Sequence, residues 1–509
     1  MTGRSFLAAA LVTGLLSAFA FQPFALWPLM PLAFAILCGL IARAPTMRRS
    51  LLLGWLFSVG QFTVGLNWIA TAFTFQAAMP AWLGWIAVVL LSFYLAIYPM
   101  LGVGLAWRFG RDKPIALVLA LAGGWAITEW LRATMFTGFA WNPVGAALVD
   151  SQLLGASRSI GTYGLSALVV LSGGALWLAW QRAFKPAAWV AAGIVVFAFI
   201  PTPAIEPHGE PRPIRIVQPN IGQEDKWREG LAEEAFVRLE RLSTDGSARG
   251  KRPPRLLFWP EVAVPEPFQI LGIDRQPLQA ALPALPRAVQ SIRPGDVLLT
   301  GAFALIADRD GKIIENTNSV FALDPTGKVL GRYDKAHLVP YGEYLPMRPL
   351  LSAIGLSQLA PGQGDTSYGP GPRTIDLGVF GKVGLQVCYE IIFSGDVVDD
   401  QNRPDFLFNP SNDAWFGAWG PPQHLAQARM RAAEEGLPVI RSTPTGISAV
   451  IDARGRLLHS IGWKTAGTID SVLPAPLAPT LFARFGNLIP LLLGFGLLFS
   501  AIALGRTRR

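Results

Sequence analysis

Apolar stretches long enough to cross a bilayer recur along the first 200 residues and once more near the C-terminus. A hydrocarbon core about 30 Å thick is spanned by about 20 residues of helix at about 1.5 Å rise each. The runs fall at 5–21, 24–42, 51–73, 81–107, 114–131, 163–181, 186–201 and 487–505. Backbone in lipid must satisfy its own polar groups, so these runs predict eight transmembrane helices. The basic residues then orient them. Arg4, Arg43, Arg48, Arg49, Arg108, Arg111, Lys113, Arg182, Lys185, Arg506, Arg508 and Arg509 fall on one side of this arrangement, and Arg132 and Arg158 on the other. Short loops rich in Lys and Arg stay in the cytoplasm, so both termini are expected there. Three units follow: a seven-helix membrane domain over 1–201, a non-cytoplasmic domain over 202–484, and a last helix with a basic tail over 485–509. Ala18-Phe19-Ala20 has the pattern of a signal-peptidase site, and cleavage there would leave the downstream orientation unchanged.

The net charge of +9 is concentrated in the apolar parts. The segment 201–484 holds 29 Lys and Arg against 31 Asp and Glu. The remainder holds 14 Lys and Arg against only Asp112, Glu129 and Asp150. Basic residues flanking apolar spans serve membrane orientation, so nucleic acid is excluded as a partner. At 51% hydrophobic and 15% charged residues, the chain is too apolar to be disordered. The cysteines Cys38 and Cys388 exclude a disulfide scaffold, and four scattered histidines give no metal-ligand spacing. Cys38 lies inside an apolar run and reads as inert packing. Glu129, in the run 114–131, reads as an i,i+3 partner of Arg132, although a carboxylate in a span is also a functional candidate. The aromatic loop Gly138–Pro143 that follows reads as a lid over a lipid entrance or as an ordinary connection.

From about residue 212 the pattern changes to short strand-like runs separated by helices. Arg215–Gln218, Leu256–Trp259, Val297–Ala302, Val383–Cys388 and Asp405–Asn409 read as strands, and 318–333 as a hairpin about Asp324-Pro325-Thr326-Gly327. Glu224–Leu242 and 421–436 read as helices, and 447–457 as a second hairpin. The expected unit is a layered α/β domain. Three reactive side chains follow strand ends, where sites in such sheets form: Glu261, Lys335 and Cys388.

Trp259-Pro260-Glu261, Tyr333-Asp334-Lys335-Ala336-His337 and Val387-Cys388-Tyr389-Glu390 resemble the Glu-Lys-Cys blocks of the nitrilase, or carbon–nitrogen hydrolase, superfamily. Tyr341-Gly342-Glu343-Tyr344 and Asn409–Gly417 narrow the match. With spans before and after, the whole chain resembles the apolipoprotein N-acyltransferase family. The resemblance implies a membrane α-helical bundle of eight transmembrane helices carrying an α/β nitrilase-like αββα sandwich in the periplasm, in the bacterial inner membrane. It implies transfer of an sn-1 acyl chain from a phospholipid, phosphatidylethanolamine above all, to the amino-terminal S-diacylglyceryl-cysteine of an apolipoprotein. No cofactor or metal is implied, and the protein is expected to act as a monomer. Cys388 would be the nucleophile, Glu261 the general base and acid, and Lys335, with the Tyr389 N–H, the oxyanion stabiliser. Glu343 and Glu390 would orient Lys335 or Cys388, and Trp227, Tyr389 and Trp415 would line the lipid path.

Two enzyme alternatives stay open on the residues alone: a membrane-tethered amidase, and a Cys–His hydrolase using His337 or His424. A transporter or scaffold is the third, and the sparse intramembrane charge argues against it.

Overall fold

The computed structural model describes residues 3–75, 80–198, 212–222, 231–244, 252–347, 349, 353 and 366–506. Each of the eight apolar runs contains helix. Among the described residues, four helices are long and apolar enough to cross a membrane: Leu83–Gly110, Pro114–Thr134, Gln152–Trp180 and Leu488–Arg506. Met47–Gly65 and Ile69–Phe75 together make a fifth if the pair, bent by 49°, is one span. Arg4–Ala20, Leu29–Ala42 and Phe184–Val196 are apolar but shorter. The run expected at 24–42 forms helix only from Leu29, because Pro23 and Pro28 hold the chain before it out of regular helix. At the bend, the Asn67 side chain donates to the Val64 carbonyl at 2.7 Å and takes up an acceptor the interrupted helix leaves free.

Small residues set the helix spacing, as expected where lipid offers no hydrophobic drive. A Cβ on Gly123 would lie 2.3 Å from the Gly494 carbonyl oxygen, so Pro114–Thr134 and Leu488–Arg506 touch backbone to backbone. Phe34, Phe57 and Trp125 fill the centre of the bundle, with Phe34 edge-on to Trp125 at 4.7 Å.

Two sheets form the second half. In the first, β1 (Pro213–Gln218), β2 (Leu256–Phe258) and β5 (Val297–Ala307) run parallel, and β14 (Gly467–Val472) closes the edge beside β1. β3 (Gln269–Leu271), paired with β4 (Pro277–Gln279), continues the β2 edge of β5, while β6 (Ile313–Leu323) and β7 (Val329–Asp334) extend its other side. The second sheet runs β13 (Leu457–Ile461), β12 (Ser448–Ile451), β11 (Val439–Ser442), β10 (Phe406–Pro410), β9 (Lys382–Leu385) and β8 (Thr374–Asp376). The sheets pack face to face through Phe258 against Phe408, ring centres 4.8 Å apart, in a core that includes Ile216, Leu299, Leu385 and Ile440. The helix Leu231–Thr244 covers the first sheet with Phe236 and Leu239. The helix Gly420–Glu435 covers the second and ends at Gly436, whose φ of 68° suits glycine at a helix C-terminus. The layering is therefore αββα.

The second sheet and the membrane base share one core. Leu407, Val439, Ala449 and Ala432 cluster with Leu66, Trp68, Trp141 and Tyr163. A buried polar knot crosses the same junction. Glu434 accepts from Thr162 Oγ1 at 2.5 Å and from Ser394 Oγ at 3.0 Å, and lies 2.9 Å from Arg431.

Candidate active site

Glu261 follows β2, where the chain leaves the edge of β5 before rejoining it at β3. Gly301 in β5 makes the crossing possible. A Cβ there would lie 2.6 Å from Val262 N and 2.7 Å from Glu261 Cα. The carboxylate is buried: Oε1 accepts from Asn318 Nδ2 at 2.7 Å, and Oε2 from the Asn412 N–H at 2.6 Å. Asn318 stands on β6 and Asn412 follows β10, so a side chain from one sheet and a backbone N–H from the other fix Glu261.

Lys335 begins where β7 ends and is 1% exposed. Its Nζ lies 2.8 Å from Glu343 Oε2 and 3.8 Å from Glu261 Oε1. Burial alone depresses its pKa, but Glu343, then Glu261 and Cys388, outweigh it and hold the ammonium above the ordinary lysine value. Glu343 is itself held by the Val339 N–H at 2.8 Å.

Cys388 lies three residues beyond β9, on the first turn of a short 3₁₀ helix over Cys388–Ile392. Its φ of 53° is strained for a residue with a side chain. Burial raises the thiol pKa well above the ordinary value and Glu261 raises it further, while Lys335 and a hydrogen bond with Ser411 act against them. Cys388 therefore rests as the thiol, and any reaction at the sulfur would need a base to take its proton.

The expected residues come together in part. Glu261, Lys335 and Cys388 are mutually coupled in a buried site, and Glu343 orients Lys335 directly. Glu390 bears on neither side chain by a hydrogen bond. Its Oε1 accepts from Tyr333 Oη at 2.8 Å and from the N–H groups of Ala336 and His337 at 2.7 and 2.9 Å. Its Oε2 accepts from the Val387 N–H at 2.6 Å. It thereby pins the Lys335 loop to the Cys388 turn. The Tyr389 ring turns toward the base, its Oη 3.4 Å from the Gly138 carbonyl, among Phe139, His337 and Phe393. Trp415 is half-buried and meets Phe75 edge-on at 5.6 Å. Trp227 lies outside the described residues. Among the described residues, no group of three or more His, Cys, Asp and Glu side chains could hold a metal ion.

The candidate histidines meet groups other than the thiol. His337 stacks on Phe393 at 4.0 Å, and burial lowers its pKa. His424 reaches Cys388 through the backbone, with Nε2 3.0 Å from the carbonyl oxygen. Glu129 and Arg132 lie 3.9 Å apart, but both are buried and serve mainly to hold the loop after their helix. Glu129 accepts from the Val144 N–H, and Arg132 donates to the carbonyls of Phe139 and Trp141. That loop is packed beneath the catalytic sheets, with Trp141 wholly buried.

The carbon–nitrogen hydrolase family model matches residues 214–477, and that of the apolipoprotein N-acyltransferase N-terminal domain matches residues 13–175. An apolipoprotein N-acyltransferase of Rhodopseudomonas palustris is 36% identical over 504 residues, covering 94% of this chain and 91% of its own. The chain belongs to the apolipoprotein N-acyltransferase family. Another relative of that name, from Brucella melitensis, is 34% identical and covers 88% of this chain and 85% of its own. The solved nitrilase-superfamily structure of Saccharomyces cerevisiae Nit3 aligns with 57% of this chain and 98% of its own, at 19% identity and a TM-score of 0.38.

In this member of the family, Asn318, Asn412, Ser411, Asp413, His424 and Arg441 also surround the site; of these the sequence pointed only to His424, as the histidine of a Cys–His pair, and gave the others no role. Asn318 sits in an unremarkable strand, Glu315-Asn316-Thr317-Asn318, and Arg441 in another, Val439-Ile440-Arg441-Ser442. For these others the one available signal was an arginine inside an otherwise apolar strand, which demands a buried partner.

Proposed function

We propose that the chain transfers an acyl group from a membrane phospholipid to the α-amino group of a diacylated lipoprotein N-terminus, through a thioester on Cys388. The observation that carries this reading is the burial of Glu261, Lys335 and Cys388 together above an apolar floor built by the membrane base. A water-soluble amide needs no such floor, whereas an acyl chain does. The acceptor follows from the relatives' name, and the donor from the floor.

The thiol is protonated at rest, so Glu261 takes the proton as Sγ bonds to the ester carbonyl carbon. The Lys335 ammonium and the Tyr389 N–H stabilise the oxyanion; one donor of this kind contributes about 100- to 1,000-fold in rate. The ester C–O bond then breaks, and Glu261 returns the proton to the departing lysophospholipid. In the second half the acceptor amine attacks the thioester and Glu261 receives its proton. The C–S bond breaks, and that proton returns to the Cys388 sulfur. The two halves make a ping-pong cycle that balances without a cofactor. Glu343 keeps Lys335 charged, Glu390 fixes the two loops, and Trp415 lines the acyl path.

The same reading takes the bent pair as one span and lets the bilayer thin around the three shorter helices. It has eight transmembrane helices, both termini in the cytoplasm and the catalytic domain, 202–484, in the periplasm. The units 1–201 and 485–509 form the base, and one copy suffices.

The test is intact mass spectrometry after incubation with phosphatidylethanolamine vesicles, wild type beside Cys388→Ala. A hydroxylamine-labile acyl adduct is expected on the wild type alone, discharged by a diacylated lipopeptide. Equal acylation of the alanine variant overturns the thioester. Discharge by water as fast as by lipopeptide replaces transfer with hydrolysis.

A further inference from the structure

We propose that His424 is a positioning residue for the oxyanion site, acting through the peptide that joins Cys388 to Tyr389. This inference rests on the thioester reading and deepens it. The Cys388 carbonyl oxygen lies 3.0 Å from His424 Nε2 and 3.4 Å from Asn409 Nδ2. A carbonyl oxygen only accepts, so Nε2 carries a proton.

The other ring nitrogen makes that assignment independent of charge. Nδ1 lies 2.9 Å from Asp413 Oδ1, 3.0 Å from an Arg441 guanidinium nitrogen and 3.5 Å from Ser411 Oγ. A neutral ring accepts at Nδ1 from Arg441, and a protonated ring donates there to Asp413. Nε2–H faces Cys388 in both states. Arg441 also grips both Asp413 oxygens at 2.7 Å and donates to Asn409 Oδ1, so both groups on the Cys388 carbonyl are tied to one guanidinium. The whole cluster is buried. Against the far side of the imidazole lie Trp141 and Phe416, ring centres 5.1 and 5.7 Å away. Trp141 is in turn held through Gln423 at 2.8 Å.

In a trans peptide the C=O and N–H point to opposite sides of the chain. Fixing the Cys388 carbonyl therefore aims the Tyr389 N–H in the opposite direction, and the hydrogen bond polarises the same amide so that its N–H donates more strongly. It also holds the left-handed turn at Cys388, a strained conformation for a residue with a side chain. His424 thus supplies preorganisation without touching the reacting atoms.

The experiment compares wild type, His424→Phe and His424→Gln in two reactions. One is single-turnover acylation from phosphatidylethanolamine vesicles and, separately, from p-nitrophenyl butyrate. The other is alkylation of Cys388 by iodoacetamide, which needs the sulfur and its base but generates no oxyanion. His424→Phe should slow acylation by both esters about 10- to 100-fold, on the scale of a weakened oxyanion donor. Its alkylation should stay within about threefold, which also reports a folded site. His424→Gln, whose amide can donate to the same carbonyl, should recover most of the acylation rate.

Unchanged acylation in His424→Phe overturns the proposal, as does a matching fall in alkylation and acylation in both variants. Intact alkylation with no recovery in His424→Gln overturns it too. A wild type that reacts with the p-nitrophenyl ester but never with phospholipid defeats the phospholipid reading while leaving this comparison decisive.

Discussion

Lys335 is bonded to Glu343, 2.8 Å away, more closely than to Glu261, which stands 3.8 Å from the same ammonium. The two carboxylates divide the work. One neutralises a buried cation, and in the proposed cycle the other carries the proton.

Replacing Glu343 by Gln removes the largest influence opposing burial at Lys335 and leaves only Glu261 and Cys388 against it, so its pKa falls. Removing one partner of a buried pair costs about 3–5 kcal/mol where the structure cannot relax. The acylation rate should drop at least about tenfold near neutral pH, as charge is lost from the oxyanion donor. The wild-type pKa lies above the usual lysine range, so its basic limb is out of reach below about pH 9. In Glu343→Gln that limb should move down, and part of the rate should return on acidification. A pH–rate profile of single-turnover acylation checks it; a uniform loss at every pH contradicts it.

Gly301→Ala places a methyl against the backbone of Pro260, Glu261 and Val262. Backbone cannot rotate away as a side chain can, so about 1–3 kcal/mol of overpacking strain falls on the segment that aims Glu261. Loss of base alignment should slow acylation and iodoacetamide alkylation together. This joint loss is the opposite of the separation expected at His424.

Glu435 offers a stability test remote from the chemistry. Burial raises its pKa to about 7, against the pull of Arg403 at 3.2 Å. The native state therefore binds this proton more tightly than the unfolded chain, and stability falls as pH rises from the ordinary carboxylate value to about 7. At about 1.4 kcal/mol per unit, Glu435→Gln should stabilise by up to about 3 kcal/mol above pH 7 and by little near pH 5. Arg403 is partly solvated and tolerates the loss. Melting curves across pH in detergent give the comparison, and a gain larger at low pH refutes the sign.

Trp415 packs against Phe75 of the base. Trp415→Ala should raise KM for phospholipid about 10- to 150-fold, the loss of roughly 1.5–3 kcal/mol of apolar contact. It should leave the rate with p-nitrophenyl butyrate nearly unchanged. A fall with the short ester instead would make Trp415 part of the catalytic framework.

What could be read from the residues followed the physics that acts locally. The apolar runs, the Asp324–Gly327 hairpin and the strand-end placement of Glu261 and Lys335 all depend on near neighbours in sequence. Val383–Cys388 was expected as one strand, but β9 stops at Leu385 because Cys388 turns back with a positive φ. β3, β4, β8 and β14 are short or depend on distant partners, and carry little pattern of their own. Members of the polar cluster behind Cys388 could be picked out singly, but not their meeting, for the same reason. Asn409, Asp413, His424 and Arg441 meet only after β10, β11 and the helix Gly420–Glu435 have packed. Glu129 was legible as a partner of Arg132, but its bond to the Val144 N–H depends on how the loop closes.

The shared core beneath the second sheet has a consequence for inheritance. Leu66, Trp68 and Trp141 belong to the base by sequence and to the catalytic half by packing. A hybrid joining the catalytic half of one relative to the base of another would mismatch these contacts unless the helix bend and the loop around Trp141 travelled with it. The two halves, matched by different family models, are thus tied residue against residue along a seam that includes Tyr389, the neighbour of Cys388.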